Sequence, residues 1–131
     1  MRALWRLGRV YIATGACEDA GLMARHEQHS GVTLVAALYV NAGHEQEFEQ
    51  FETHAARIMS RYGGHIDRRV RCTSTDSTQP YEIHVVAFPD ESALARYRSD
   101  GELASLGELR SRAIRATTVW RGVELPEFKG S

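Results

Sequence analysis

Hydrophobic and polar positions first become regular at Val32 and predict a strand followed by a helix. Residues 32–41 are rich in β-branched side chains and are apolar at both odd and even positions, which predicts a strand covered on both faces. In residues 48–62 the apolar positions recur every three or four residues, which is typical of one buried helical stripe. The pair Gly63-Gly64 predicts the end of this helix.

The remaining pattern predicts three further strands and one interrupted helical region. Residues 65–72 and 81–88 form two strands around a polar hairpin loop at 73–80. Asp90 is a good N-cap for a helix that breaks near residues 99–101 and resumes as far as 114, and the last strand spans 116–124. The order strand, helix, strand, strand, helix, strand predicts an α+β, ferredoxin-like fold, with a four-stranded antiparallel sheet and two helices on one face.

This fold leaves the second face of the sheet without a cover. The first and third predicted strands are apolar on both sides, so that face would expose more apolar surface than a monomer usually tolerates. A second copy of the same sheet, related by a two-fold axis, is the simplest cover. The sequence therefore predicts a homodimer through its sheet faces, a dimeric α/β barrel.

The chain divides into one domain and two flanking segments. We expect residues 32–124 to form the ferredoxin-like domain and residues 125–131 a C-terminal tail. Residues 1–31 carry three arginines in their only apolar stretch and end in a polar linker. Because the arginines interrupt this stretch, the segment lacks the continuous apolar region of a secretory signal. We interpret them as an N-terminal extension, partly disordered or an upstream misassigned start, the alternative being a short helix packed on the domain.

Charge and cysteine content limit the partners and the compartment. Sixteen basic and seventeen acidic side chains among 131 residues leave a net charge of −1, which gives no reason to expect nucleic acid or an anionic membrane as partner. No window approaches the roughly 20 apolar residues of a membrane span. Cys17 and Cys72 are too few for a disulfide framework and fit a reducing compartment, so we predict a cytoplasmic protein.

Short motifs over about residues 32–124 resemble the domain of unknown function 1330 group of the dimeric α/β-barrel superfamily. The resemblance is carried by their order and spacing: Tyr62-Gly63-Gly64, Arg69, Phe88-Pro89-Asp90, Ala93, Tyr97, Ser99-Asp100, Leu106, Leu109-Arg110, Arg112-Ala113 and Gly122. Departures at Val70-Arg71, Gly101 and Leu103 mark a divergent member. The resemblance implies a homodimer whose sheets face each other across a cleft. It implies no particular reaction, because the superfamily includes cofactor-independent monooxygenases, lactone isomerases and haem-handling enzymes.

Two strand residues are the candidate catalytic groups. Arg69 lies mid-strand among charged neighbours, so we expect it to face the cleft or solvent, where it could clamp a carboxylate or enolate oxygen. The alternative is an ion pair with Asp67 or a salt bridge to the partner copy. His84 lies in an apolar strand and could act as a general base. The alternative is a hydrogen-bonded core histidine, since the pattern does not decide which side of the sheet it faces.

Four further residues are candidates for substrate binding in the cleft. They are Tyr39, Asn41, Asp67 and Trp120, of which Tyr39 and Trp120 could equally pack in the dimer interface. The histidines do not form a metal-ligand cluster, so we predict no metal and no bound cofactor.

These residues support two hypotheses about function. The first is a small-molecule enzyme of monooxygenase or isomerase type that acts on an aromatic or enolisable carbonyl compound without a cofactor. The second is a non-catalytic ligand-binding or structural homodimer, in which the same polar groups satisfy one another.

Overall fold

The computed structural model describes residues 10–13 and 31–130. The strands are β1 (Val10–Ala13), β2 (Val32–Val40), β3 (His65–Arg71), β4 (Glu82–Phe88) and β5 (Ile114–Gly122). The helices are α1 (Glu45–Ser60), α2 (Glu91–Arg98), α3 (Gly101–Ser105) and α4 (Gly107–Ala113). The order from β2 onward is the predicted one, with the second helical region divided into three pieces.

The strands form one sheet in the order β1-β5-β2-β4-β3. Strands β2 to β5 pair antiparallel, which confirms the predicted four-stranded ferredoxin-like sheet. Strand β1 adds a parallel neighbour to β5, with Val10 opposite Thr117 and Ala13 opposite Trp120, and was not predicted. Our predictions for residues 1–9 and 14–30 of the extension lie outside the described residues.

Local sequence explains where the helices begin and break. The Asp90 carboxylate accepts a hydrogen bond from the Ala93 N–H at 2.8 Å and caps α2, as predicted. The Asp100 carboxylate caps α3 in the same way by accepting from the N–H of Leu103 at 3.0 Å. The predicted second half of this region ends earlier than expected, because Ile114 is already extended and begins β5.

The hydrophobic core lies between the helices and one face of the sheet. On β4 the side chains at even positions, from Glu82 to Phe88, are buried on this side, while Ile83 and Val85 remain half-buried on the other. We call the first side the helix-covered face and the second the open face. The core is completed by side chains from the helices, among them Phe48, Ile58, Leu94 and Leu103. None of the described helices is both long and apolar enough to cross a bilayer.

A β-bulge in β3 changes which residues face the helices. Ile66 pairs with Val86, but the next pair joins Arg68 to Val85, so Asp67 is an extra residue on β3. The side chains of β3 therefore do not alternate regularly along the whole strand. Beyond the bulge Arg69 pairs with His84, which puts Arg69 on the helix-covered face. We expected Arg69 to face the cleft or solvent, and its side chain is 47% exposed at the edge of this face.

Candidate functional site

A cavity of about 80 Å³ lies between the helices and the helix-covered face of the sheet. Most of its wall is apolar, and the polar groups in the wall come from five elements. The polar residues are Glu52 of α1, His84 of β4, Tyr97 of α2, and Arg110 and Thr117 of α4 and β5. An apolar cavity with a few convergent polar groups is the usual form of a small-molecule site.

His84 lies between two carboxylates in this cavity. Its side chain is buried, and its Nε2 lies 2.6 Å from Oε2 of Glu82. Its Nδ1 lies 3.8 Å from Oε1 of Glu52, which is too long for a direct hydrogen bond. A ligand atom or a water could therefore bridge Nδ1 and Glu52.

Glu82 is held in its ionised form by two arginines of β3. Arg69 donates to both of its oxygens, from Nε at 2.8 Å and from Nη2 at 3.0 Å, and Arg71 donates to Oε1 at 2.8 and 2.9 Å. Burial raises the pKa of Glu82, but the hydrogen bonds from Arg69, His84 and Arg71 outweigh it and lower this pKa to about 2. An ionised Glu82 can accept a hydrogen bond from Nε2–H of His84, and in that tautomer the lone pair of the imidazole is on Nδ1.

The two arginines are in turn held by helix α1. Nη2 of Arg69 donates to Oε2 of Glu49 at 2.7 Å, and Nη2 of Arg71 donates to the same oxygen at 3.1 Å. Hydrogen bonds to Glu82 and Glu49 raise the pKa of Arg69. The guanidinium of Arg71 also stacks 4.1 Å from the centre of the Tyr81 ring. Both side chains are therefore fixed at the rim of the fold.

Glu52 and Arg110 both lie in the wall of the cavity and interact electrostatically. Burial raises the pKa of Glu52, and the nearby His84 and Arg110 oppose that rise. Burial lowers the pKa of Arg110, and Glu52 opposes that change. Nη2 of Arg110 also donates to Oγ1 of Thr117 at 3.1 Å. Arg110 is thus a buried guanidinium in the wall of the cavity, the role in which an anionic oxygen could be stabilised.

Of the six site residues predicted from sequence, His84 alone lies in the wall of this cavity. Tyr39 is on the open face, where Arg115 stacks 5.2 Å from its ring centre, and Trp120 is exposed on the same face. The predicted convergence of these residues with Arg69 on the open face was wrong, because the bulge turns Arg69 to the other side.

Asn41 and Asp67 also lie away from the cavity. Nδ2 of Asn41 donates to the carbonyl of Arg112 at 2.8 Å and its N–H donates to the carbonyl of Ala113, so Asn41 ties the end of β2 to the end of α4. Asp67 is the bulge residue, with Oδ1 at 3.8 Å from Nε2 of His65. The alternative predicted for Arg69, an ion pair with Asp67, is replaced by its pairs with Glu82 and Glu49.

Sequence reasoning missed Glu52, Glu82 and Arg110. Glu82, His84 and Phe88 lie on the same side of β4, because they alternate along the strand. If Phe88 had been assigned to the buried side, Glu82 and His84 would have been placed there with it. Glu52 follows Phe51 in α1 and lines the cavity. The apolar pattern of the helix does not indicate that a glutamate at this position faces the interior. Arg110 falls three residues before the buried Ala113 and on the same helical face.

Within the described ranges no group of three or more histidine, cysteine, aspartate or glutamate side chains could hold a metal ion. Glu82 is instead paired with Arg69, Arg71 and His84.

No family model matches the chain, and no curated protein matches it either. Solved structures do. A protein of unknown function from Rhodopseudomonas palustris superposes with a TM-score of 0.64 at 9% identity, covering 82% of this chain and 94% of its own. A dabb family protein with a ferredoxin-like fold from Mesorhizobium loti gives a TM-score of 0.55 at 19% identity, covering 73% and 98%.

A third similar structure has a described activity. SnoaB, a cofactor-independent oxygenase from Streptomyces nogalater, superposes with a TM-score of 0.57 at 16% identity, covering 77% of this chain and 99% of its own. At these identities the likeness establishes the fold, which this chain shares with dimeric α/β-barrel proteins, and leaves the reaction to be argued from the site.

Proposed function

We propose that the protein binds a small enolisable carbonyl compound in the cavity between helices and sheet, and that His84 withdraws a proton from it without a bound cofactor. The observation that carries this proposal is the 2.6 Å contact between Nε2 of His84 and the ionised Glu82, which leaves Nδ1 free to accept a proton. We also retain, as a proposal, membership of the domain of unknown function 1330 group.

The size of the cavity favours a compact ligand over an aromatic one. A volume of about 80 Å³ is smaller than the roughly 150 Å³ of an engineered cavity that admits benzene. Two substrate classes were predicted from sequence, aromatic compounds and enolisable carbonyl compounds. Of these, small enolisable ketones and aldehydes fit the cavity without rearrangement of its wall. Arg110 replaces Arg69 and Asn41 as the group proposed to face the oxygen, because it contributes to this wall.

The proposed step is a proton transfer. The C–H bond next to the carbonyl breaks, its electron pair becomes the enolate, and the proton goes to Nδ1 of His84. Glu82 keeps its hydrogen bond to Nε2–H and stabilises the imidazolium that forms. The negative charge that develops on the carbonyl oxygen is stabilised by the Arg110 guanidinium. Return of the proton, or of a solvent deuteron, completes the exchange.

Hydrogen–deuterium exchange tests this step directly. We expect the protein to catalyse exchange of the α-hydrogens of acetone, hydroxyacetone or acetaldehyde in D₂O, followed by proton NMR. His84→Gln should lower the rate by about 100-fold, as loss of a general base does. His54→Gln is the matched control, because His54 is exposed on α1 and should leave the rate unchanged.

The second candidate, a non-catalytic binding protein, is favoured by the saturation of Glu82, which accepts hydrogen bonds from both arginines and from His84. If these compounds raise the melting temperature without exchange, the catalytic proposal is wrong and the binding one stands. If they do neither, both proposals fail for this class of ligand.

We further propose that the open face of the sheet is covered by a second copy of the chain. Its centre is a row of half-buried apolar side chains, Val35 and Val85, that continues to the exposed Trp120 on β5. A face of this kind on an isolated chain would be an unusually large apolar patch. A two-fold related sheet covers it without any further partner.

A charge on the open face should weaken this dimer. We expect Val85→Arg to raise the dissociation constant at least tenfold in sedimentation equilibrium, because the guanidinium would be desolvated in the interface. Ser92→Arg adds the same charge on the exposed side of α2 and should leave the constant unchanged. Native chains that remain monomeric at micromolar concentration would show the dimer proposal to be wrong.

A further inference from the structure

Exposed large apolar side chains are concentrated near the C-terminus. Among the described residues four of the five lie between Trp120 and Phe128, and the fifth is Val70 of β3. Scattered exposed apolar residues are normal on a protein surface, but a cluster of this kind marks an interaction site. We therefore expect an apolar surface to cover residues 123–128.

These residues leave the domain without packing on it. Beyond Gly122 the described chain forms neither helix nor strand, and Leu125 is 74% exposed and Phe128 102% exposed. All of residues 123–130 are exposed, so the described part of the chain leaves them largely uncovered. The surface that covers Leu125 and Phe128 is therefore to be sought on another molecule.

The β3 side of the open face has matching chemistry. Val70 is 53% exposed there, and Arg68, also exposed, pairs with Val85 on the same face. The C-terminal segment alternates apolar side chains with two acidic ones, Glu124 and Glu127. Apolar contacts around Val70 and an ion pair with Arg68 are thus complementary to this segment. Pro126 interrupts backbone pairing, so the contact is made by side chains rather than by an added strand.

We propose that residues 123–128 form an arm that packs on the β3 side of the open face of a second copy of this chain. The proposal rests on the dimer proposed above and adds to it a second contact region. The arm continues directly from β5, whose Trp120 lies on the same open face, so the arm extends the face-to-face interface rather than forming a separate one.

Substitutions in the full-length chain test the arm. The double variant Leu125→Ser/Phe128→Ser should raise the dimer dissociation constant by about 10- to 100-fold in sedimentation equilibrium. Lys129→Ser, directly after the arm and without an apolar side chain, is the control and should leave the constant unchanged. Arg68→Glu should also weaken the dimer, and combining it with Glu124→Arg and Glu127→Arg should restore part of the loss, because the ion pair is then reversed.

The outcomes separate this proposal from the one on which it rests. A native dimer whose dissociation constant is unchanged in Leu125→Ser/Phe128→Ser overturns the arm and leaves the face-to-face dimer standing. The same result with a lower melting temperature would mean that the segment packs on its own chain, and it also overturns the arm. A monomeric native chain overturns both the dimer and the arm.

Discussion

Glu82→Gln is expected to lower the free energy of unfolding at pH 7 by about 2–3 kcal/mol, because the ionised carboxylate is buried and two arginines and His84 donate to it. The pKa of Glu82 is about 2 in the folded chain and near its ordinary value of 4.5 in the unfolded one. Its contribution is therefore complete above about pH 4.5 and is lost as the pH falls toward 2. Urea denaturation at several pH values measures this dependence.

The matched control is Glu49→Gln. Glu49 binds the same two arginines, but its side chain is 45% exposed, so we expect a loss below about 1 kcal/mol. Glu82→Gln should also flatten the acid side of the stability curve, since the variant has no carboxyl to protonate at this position. A variant that is as stable as the native chain at pH 7 and equally sensitive to acid would contradict the assignment of Glu82 as an ionised anchor.

Gly64→Ala is expected to destabilise the fold by about 3 kcal/mol through overpacking. A Cβ at Gly64 would lie 2.4 Å from Cε1 of Phe88 and 2.7 Å from Cγ of Met59. Both side chains are buried, and the ring of Phe88 packs against Tyr97 with 5.3 Å between ring centres, so relieving the overlap would require this part of the core to repack. Thermal and urea unfolding measure the loss.

Gly101→Ala is the control for this prediction. A Cβ there meets no atom within 4 Å, and Gly101 is the first residue of α3, so alanine should be neutral or stabilise the chain by up to about 1 kcal/mol. Shortening the opposing ring with Phe88→Leu should restore part of the stability lost in Gly64→Ala. Equal losses for Gly64→Ala and Gly101→Ala would show that backbone freedom rather than crowding decides the result.

Most of the fold was predictable because its elements have strong local signals. The 3–4 spacing of apolar residues in α1 and the cap at Asp90 depend on neighbouring residues only. Strand β1 was missed because residues 1–31 lack a strand-like pattern long enough to stand out, and its pairing with β5 is a long-range contact. The early start of β5 at Ile114 reflects tertiary pairing with Val40, which no local pattern records.

The site was less predictable because it depends on which side of each strand faces the helices. His84 was selected by its chemistry, but its orientation needed the register between β2 and β4, in which it pairs with Ala36. The position of Arg69 beside His84 on the helix-covered face was not predicted, because a bulge has no reliable signature in a single sequence. Glu52 and Arg110 were missed because a charged residue in a helix is normally exposed, and only the packed structure shows the exception.

The extra residue at Asp67 has a consequence for comparing this chain with its structural relatives. A strand of the same sequence that alternated regularly from Ile66, without the bulge, would turn both arginines to the other side of the sheet. The pair would then enter the proposed contact between subunits as two uncompensated cations, and Glu82 would lose its anchors. An alignment that matches these arginines by identity to a strand that keeps the same residues but lacks the bulge would transfer a role inside one subunit to the surface between two.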